Sequence, residues 1–233
     1  VYDLYERLNT AFPQILFESC ASGGGRFDPG ILYYAPQGWT SDDTDAAERV
    51  KIQYGTSMCY PVSSMGSHVS AVPNHQLNRS TPLHTRANVA YFGTFGYELD
   101  LNKLSDEEIY QVKEQIKFMK KYRELIQFGS FYRLKSPFEG NETVWMTVSQ
   151  DKKRALVFWY RERNLVNADY TRVRLQGLDP DLIYKNEYNG IENYGDELMN
   201  LGLLTTDGTA GEPTCEDAPC TDYESRIYVL TAR

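Results

Sequence analysis

Leu4, Leu8 and Phe12 recur every four residues and Pro13 follows, a spacing that predicts a helix over 1–12. Ile15, Leu16 and Phe17 then form a continuous apolar run, which suits a parallel strand buried on both faces. The run stops at Ala21, Ser22 and three successive glycines. Further strands are expected at 37–41, at 57–65 (closed by Gly66, Ser67 and His68) and at 95–101, with helices at 45–52 and 81–92 between them. The clearest element comes next. Ser105 is a helix cap, Glu108 completes a capping box, and Ile109, Val112, Ile116, Met119 and Ile126 mark one face. Gly129 is expected to close this helix in a left-handed conformation.

Beyond Gly129 the pattern becomes that of strands. Residues 144–149 and 154–160 flank the polar turn Gln150-Asp151-Lys152-Lys153, a hairpin signal, and 171–175, 182–186 and 226–230 add further strands. With little helix between them, these predict an antiparallel sheet or sandwich. The chain therefore reads as α/β followed by all-β, with a boundary near Phe131 separating 1–130 from 131–233. The first part holds four strand–helix units. A complete (β/α)8 barrel needs ~250 residues, so this is either a small open α/β layer or half of such a barrel.

Composition narrows the function. The 233 residues carry 24 Lys and Arg against 32 Asp and Glu, a net charge of −8 that disfavours phosphate backbones and anionic membrane surfaces. No apolar run approaches the ~20 residues that span a bilayer. Tyrosine is abundant, at 18 residues. Flat aromatic faces suit sugar rings, but aromatics also fill cores, and composition alone favours the core. Four cysteines do not make a disulfide scaffold in a chain of this length, although a local bridge between Cys215 and Cys220 is open. The chain starts at Val1 with no signal-peptide pattern, so a processed or excised piece is expected and its compartment cannot be read from its start.

Two motifs carry candidate chemistry. In Glu18-Ser19-Cys20-Ala21-Ser22-Gly23-Gly24-Gly25-Arg26-Phe27-Asp28, the glycines permit either a tight turn or close approach of a ligand. A phosphate cradle is a poor match, because no Gly-Lys-Ser/Thr follows, and Arg26 and Asp28 could pair with each other. In Trp39-Thr40-Ser41-Asp42-Asp43-Thr44-Asp45, three carboxylates follow a strand end, where they could serve as a general acid, a metal ligand or a helix cap. Asp45 takes the capping role by position, and Asp42, beside the Trp39 ring, is the better candidate acid. His68, His75 and His84 lack a zinc-type spacing, so no metal is predicted. Cys20 ranks as a packing or hydrogen-bonding group ahead of a nucleophile. Asn78-Arg79-Ser80 and Asn141-Glu142-Thr143 match glycosylation sequons of a kind that arises often by chance.

Together, Phe17-Glu18-Ser19-Cys20, the glycine run with Arg26-Phe27-Asp28 and Trp39 to Asp45 resemble the α-galactosidases of glycoside hydrolase family 36. The likeness continues through Ile52-Gln53-Tyr54-Gly55-Thr56-Ser57, the stretch from Met65 to His75, and Phe95-Gly96-Tyr97-Glu98-Leu99-Asp100. It is dense over 1–138 and thins in the β region. The resemblance implies strands five to eight of a (β/α)8 TIM-type barrel followed by an antiparallel β-sandwich domain. It implies a retaining glycosidase acting on melibiose- or raffinose-type galactosides without a cofactor, with Asp42 as acid/base and Cys20, Gly23 and Trp39 on the sugar pocket. The family's nucleophile, in a Lys-Trp-Asp-like motif, has no match here, so the chain alone is expected to be inactive and to need the N-terminal part of the enzyme as partner. The resemblance also implies a cytoplasmic homotetramer, with secretion left open. An α-N-acetylgalactosaminidase and a non-catalytic carbohydrate-binding module are the alternative readings.

Overall fold

The computed structural model describes residues 1–165, 170–205 and 222–233. The chain forms two compact units, Val1–Met119 and Lys120–Arg233.

The first unit repeats strand-then-helix four times after an opening helix α1 (Tyr2–Ala11). The repeats are β1 (Glu18–Ser19) with α2 (Pro29–Tyr34), β2 (Gln37–Gly38) with α3 (Ala46–Ser57), β3 (Gly66–Ser70) with α4 (Leu83–Ala90), and β4 (Thr94–Glu98) with α5 (Asp106–Phe128). Every pairing is parallel. Ser19 lies opposite Gly38, a bridge joins Gly38 to Met65, and Gly66 through Ser70 align with Thr94 through Glu98. The strand order is thus β1-β2-β3-β4, the half-barrel layer anticipated from the four units.

The helices cover this layer with their apolar stripes. Ala46, Ala47, Val50 and Gln53 are buried on α3, and Leu83, Ala87, Val89 and Ala90 on α4. The buried Gln53 amide ties helix to sheet by donating to the carbonyls of Val89 (3.0 Å) and Phe92 (3.2 Å) while accepting the Ser67 hydroxyl (2.7 Å). Arg86 does the same for α4, donating to the Ser70 carbonyl at 2.8 Å. Its burial pulls the guanidinium pKa below its ordinary value, which the attraction of Glu108 partly opposes.

Several expectations needed correction. The apolar run before β1 is not buried: Ile15 is 45% and Leu16 85% exposed, because β1 has a strand neighbour on one side only among the described residues. Residues 57–65 are not a strand. Ser57 ends α3, Val62–Ser64 form a 3-10 turn, and the strand begins at Gly66, so Ser67 and His68 belong to β3 rather than closing it. Gly129 does not adopt a left-handed conformation. It is glycine because a Cβ there would lie 2.4 Å from the Thr147 hydroxyl and 2.5 Å from the Leu125 carbonyl. The Ser105–Glu108 capping box does form, with Ser105 N–H donating to the Glu108 carboxylate at 2.9 Å and Glu108 N–H to Ser105 Oγ at 3.2 Å.

The second unit starts within α5 and is built on a six-stranded antiparallel sheet. Its strands are β5 (Ser130–Lys135), β6 (Glu142–Val148), β7 (Arg154–Arg161), β9 (Ile183–Asn186), β10 (Glu192–Tyr194) and β12 (Glu224–Ala232), in the order β10-β9-β12-β7-β6-β5. A two-stranded ladder of β8 (Arg172–Val173) and β11 (Leu203–Leu204), with the short helix α6 (Gly195–Asn200), packs on one face. Val144, Met146, Val157, Trp159, Tyr228 and Leu230 from the sheet meet Val173, Leu198 and Leu203 in a single core. The β6–β7 hairpin forms as anticipated, whereas β5, β10, β11 and α6, and α2 in the first unit, were not foreseen. Cys215 and Cys220 lie outside the described residues.

Candidate active site

In parallel α/β layers, ligands meet the carboxyl ends of the strands and the loops that follow. Here β1 leads into Cys20 and the glycine loop, and β2 leads into Trp39 through Asp45. The two loops are pressed together. Ser22 and Gly23 both have positive φ, +50° and +75°, and the turn is closed by Ala21 N–H donating to the Gly23 carbonyl at 3.2 Å. A Cβ on Gly23 would lie 2.9 Å from Ser41 Cα and 3.0 Å from the Asp42 nitrogen, and one on Gly24 would lie 2.8 Å from the Thr40 carbonyl oxygen. The glycines therefore serve a tight turn and also a backbone contact that only glycine allows. That contact brings Gly23 and Asp42, both singled out in the sequence, side by side.

The three acids after β2 separate by their surroundings. Asp45 is buried and caps α3, accepting from Ala47 N–H (3.0 Å) and Glu48 N–H (3.2 Å), and it pairs with Arg79 at 2.5 Å. Asp43 accepts from Asp45 N–H at 3.0 Å, so it too is engaged in the turn. Asp42 is exposed, and its carboxylate has no hydrogen-bond or ion-pair partner among the described residues. It is the one acid of the three left free to act on a ligand.

Trp39 is half-buried and fixed at both ends. Its backbone N–H donates to the Ser19 carbonyl at 2.8 Å, and its ring lies 4.7 Å from the His68 imidazole at 31°. Gly66 makes room for that ring, since a Cβ there would lie 2.9 Å from Trp39 Cε3. His68 Nδ1 lies 3.5 Å from Glu98 Oε2, which links the middle of β3 to the end of β4. Cys20 is exposed and borders a cleft of about 280 Å³ walled by Leu4, Tyr5, Phe17 and Ile31. Arg26 and Asp28 do not pair. Asp28 caps α2 by accepting from Ile31 N–H at 2.9 Å and accepts the Tyr2 hydroxyl at 2.7 Å, bonds that hold its carboxyl below the ordinary value. Among the described residues, no group of three or more His, Cys, Asp or Glu could hold a metal ion.

Arg49 was missed by sequence reasoning. It is buried, with its guanidinium 4.8 Å from the Trp39 ring centre, and donates to the Gly66 carbonyl (2.6 Å) and the Ser41 carbonyl (3.4 Å). The signal was present: Arg49 sits three residues after Ala46 and four before Gln53, on the inward stripe of α3.

Comparison with known proteins gives matches over both units. Residues 1–129 match the family model "Melibiase", and residues 142–230 match "Glycosyl hydrolase family 36 C-terminal domain". The chain is 55% identical over 203 residues to alpha-galactosidase AgaA of Geobacillus stearothermophilus, covering 87% of this chain and 28% of that protein. It is 49% identical over 232 residues to alpha-galactosidase 1 of Pediococcus pentosaceus, covering 100% of this chain and 30% of that one. A crystal structure of an AgaA variant in complex with raffinose superposes with a TM-score of 0.91 at 49% identity, over 100% of this chain and 31% of that chain. The alpha-galactosidase from Lactobacillus brevis gives a TM-score of 0.92 at 51% identity, over the same shares. The chain spans less than a third of the length of these relatives.

Proposed function

Since the chain belongs to the melibiase family of glycoside hydrolase family 36, we propose that it is the acid/base-bearing part of a retaining α-galactosidase. The substrate class is a sugar with a terminal α-linked galactose, of the melibiose and raffinose type. The observation that carries this reading is the division of labour among Asp42, Asp43 and Asp45, which leaves Asp42 alone exposed and unpartnered at the carboxyl end of a parallel strand. Solved relatives hold raffinose, stachyose or 1-deoxygalactonojirimycin, which supports a galactose-shaped pocket.

In this reading Asp42 serves first as the acid. It gives its proton to the glycosidic oxygen as the bond from that oxygen to the galactose anomeric carbon breaks, while a second carboxylate attacks the same carbon. The Asp42 carboxylate then takes a proton from the water that displaces the second carboxylate, so the sugar leaves with its configuration retained. The second carboxylate lies outside these 233 residues. Cys20, Gly23 and Trp39 line the sugar's binding face: the glycine loop offers backbone at close range, and the Trp39 ring an apolar wall.

Joining the 233 residues to the preceding segment of AgaA tests the proposal. The joined enzyme is expected to hydrolyse raffinose, and Asp42→Ala to lower kcat/KM by about 10²–10⁴-fold with sugar binding kept. The 233-residue chain alone is expected to release no nitrophenol from p-nitrophenyl α-galactoside. Turnover by the isolated chain would overturn the division of the two carboxylates, and unchanged rates in Asp42→Ala would overturn the acid role.

A further inference from the structure

The buried charge beneath Trp39 has no part in the chemistry described so far. Arg49 is 2% exposed, yet among the described residues its guanidinium makes only two hydrogen bonds, to the carbonyls of Gly66 and Ser41, and its Nε has no partner. Burial lowers its pKa to about 10, against the attraction of Asp43 and Glu98, so it remains charged at neutral pH. Packing alone does not call for such a group. Taking a charge out of water carries a cost that only well-placed partners offset, so a buried cation is weak evidence of a purely stabilising role.

What the guanidinium does reach is specific. One nitrogen holds the carbonyl next to Asp42, the other holds the first residue of β3, and the flat cation lies against the Trp39 ring, which stacks in turn on His68. These contacts clamp the segment carrying Asp42 from below, while Gly23 presses on it from the neighbouring loop. A lysine ammonium is a compact charge that cannot span two carbonyls, one in the loop after β2 and one at the start of β3, and stack on a ring at once.

We propose that Arg49 is a positioning residue, holding Asp42 where it can hand its proton to the departing sugar. The proposal rests on the acid/base reading of Asp42. Arg49 touches neither substrate nor reacting atoms, and acts only through the backbone of Ser41 and the ring of Trp39.

Leaving-group dependence tests it, because kcat/KM reports the step in which the bond to the departing group breaks. Raffinose needs a proton on its departing oxygen, whereas 2,4-dinitrophenolate departs without one. In the joined enzyme, Arg49→Met is expected to lower kcat/KM for raffinose by about 10- to 100-fold. For 2,4-dinitrophenyl α-galactoside the expected loss is below about threefold, with KM for raffinose little changed. Arg49→Lys, which keeps the charge but loses the fork, is expected to fall between parent and Arg49→Met on raffinose. Should Arg49→Met fail to fold, Arg49→Lys decides by the same two-substrate comparison. Equal losses on both substrates would reduce Arg49 to a structural role, and no loss on raffinose would remove any role; either overturns the proposal. Asp42→Ala run alongside separates the two readings: equal losses on both substrates there would sink the acid assignment itself, whatever Arg49 does.

Discussion

Replacing Gly23 by alanine probes the contact on which the candidate site is built. The residue has a φ of +75°, a conformation that costs a side-chain-bearing residue about 1–2 kcal/mol. The new methyl would also lie 2.9 Å from Ser41 Cα and 3.0 Å from the Asp42 nitrogen. Comfortable separations are ~3.5–4.0 Å, so one loop must retreat by roughly half an ångström or more. Neither neighbour is a flexible side chain. The Ser41 backbone is held by Arg49, and the strand leading to it by the 2.8 Å bond from the Trp39 backbone N–H to Ser19. The expected destabilisation is therefore about 2–3 kcal/mol, conformational strain plus the clash. Urea unfolding of the 233-residue chain, followed by far-UV circular dichroism, reads this as a lowered midpoint at constant slope. Gly55→Ala is the control, since a Cβ there meets nothing within 4 Å on the exposed side of α3. It is expected to stabilise by about 0.5–1 kcal/mol. If Gly23→Ala unfolds at the parent midpoint, the glycine loop is not seated on the Asp42 backbone and the geometry argued for the site is wrong.

Three other perturbations test the packing around it. Gln53→Leu leaves the carbonyls of Val89 and Phe92 and the Ser67 hydroxyl without their buried partner, and should cost about 2–4 kcal/mol in urea unfolding; a loss under about 0.5 kcal/mol would show that the amide does not tie α3 to the sheet. Tyr2→Phe removes the hydroxyl that does most to hold the Asp28 carboxyl below its ordinary value of 3.8, so the Asp28 midpoint followed by NMR should rise. Because the folded-state pKa is the depressed one, Asp28 contributes stability above pH 3.8 that is lost as pH falls through the folded value, and Tyr2→Phe should shrink that acid-sensitive contribution. An unmoved midpoint would refute the bond. In the β unit, Glu142 accepts from the buried Trp159 indole N–H (3.0 Å) and the Thr171 hydroxyl (2.9 Å), so Glu142→Ala should cost about 2–3 kcal/mol and change tryptophan fluorescence, whereas an unchanged spectrum would count against the bond.

The fold was readable where pattern and punctuation agreed. The helix that opens after Asp45, the Ser105–Glu108 box and the hairpin around Gln150-Asp151-Lys152-Lys153 each joined a hydrophobic period to a turn or cap signal. The errors came where one signal stood alone. Ile15-Leu16-Phe17 was read as buried because apolar runs usually are, but burial needs a neighbour, and periodicity cannot say whether one is present. Residues 57–65 carry a strand-like composition around Tyr60-Pro61-Val62, where Pro61 in fact precedes a 3-10 turn. Gly129 looked like a helix terminator by position, but the reason for glycine is the Thr147 side chain, 18 positions further along the chain, which no local window contains.

The same distinction between local and distant causes runs through the site. Asp45 as a cap was legible because a cap is a relation between neighbours, and excluding it left Asp42 and Asp43 as candidates. The neighbouring Trp39 had favoured Asp42 of those two, and the Asp43–Asp45 turn bond, local but not visible as a residue type, shows what occupies Asp43. The glycine loop posed the harder question, turn or ligand approach, and its answer lies in a partner 18 residues away: Gly23 is small because the Ser41–Asp42 backbone occupies the space where its Cβ would be. Arg49 extends the pattern. Written in a row with Ala46, Ala47 and Glu48, it reads as the solvated side of a helix, yet its spacing from Ala46 and Gln53 puts it on the buried stripe beneath Trp39. A charge at an apolar period is thus an argument that the opposing surface supplies backbone acceptors. Here those acceptors are the carbonyl beside Asp42 and the first residue of the next strand.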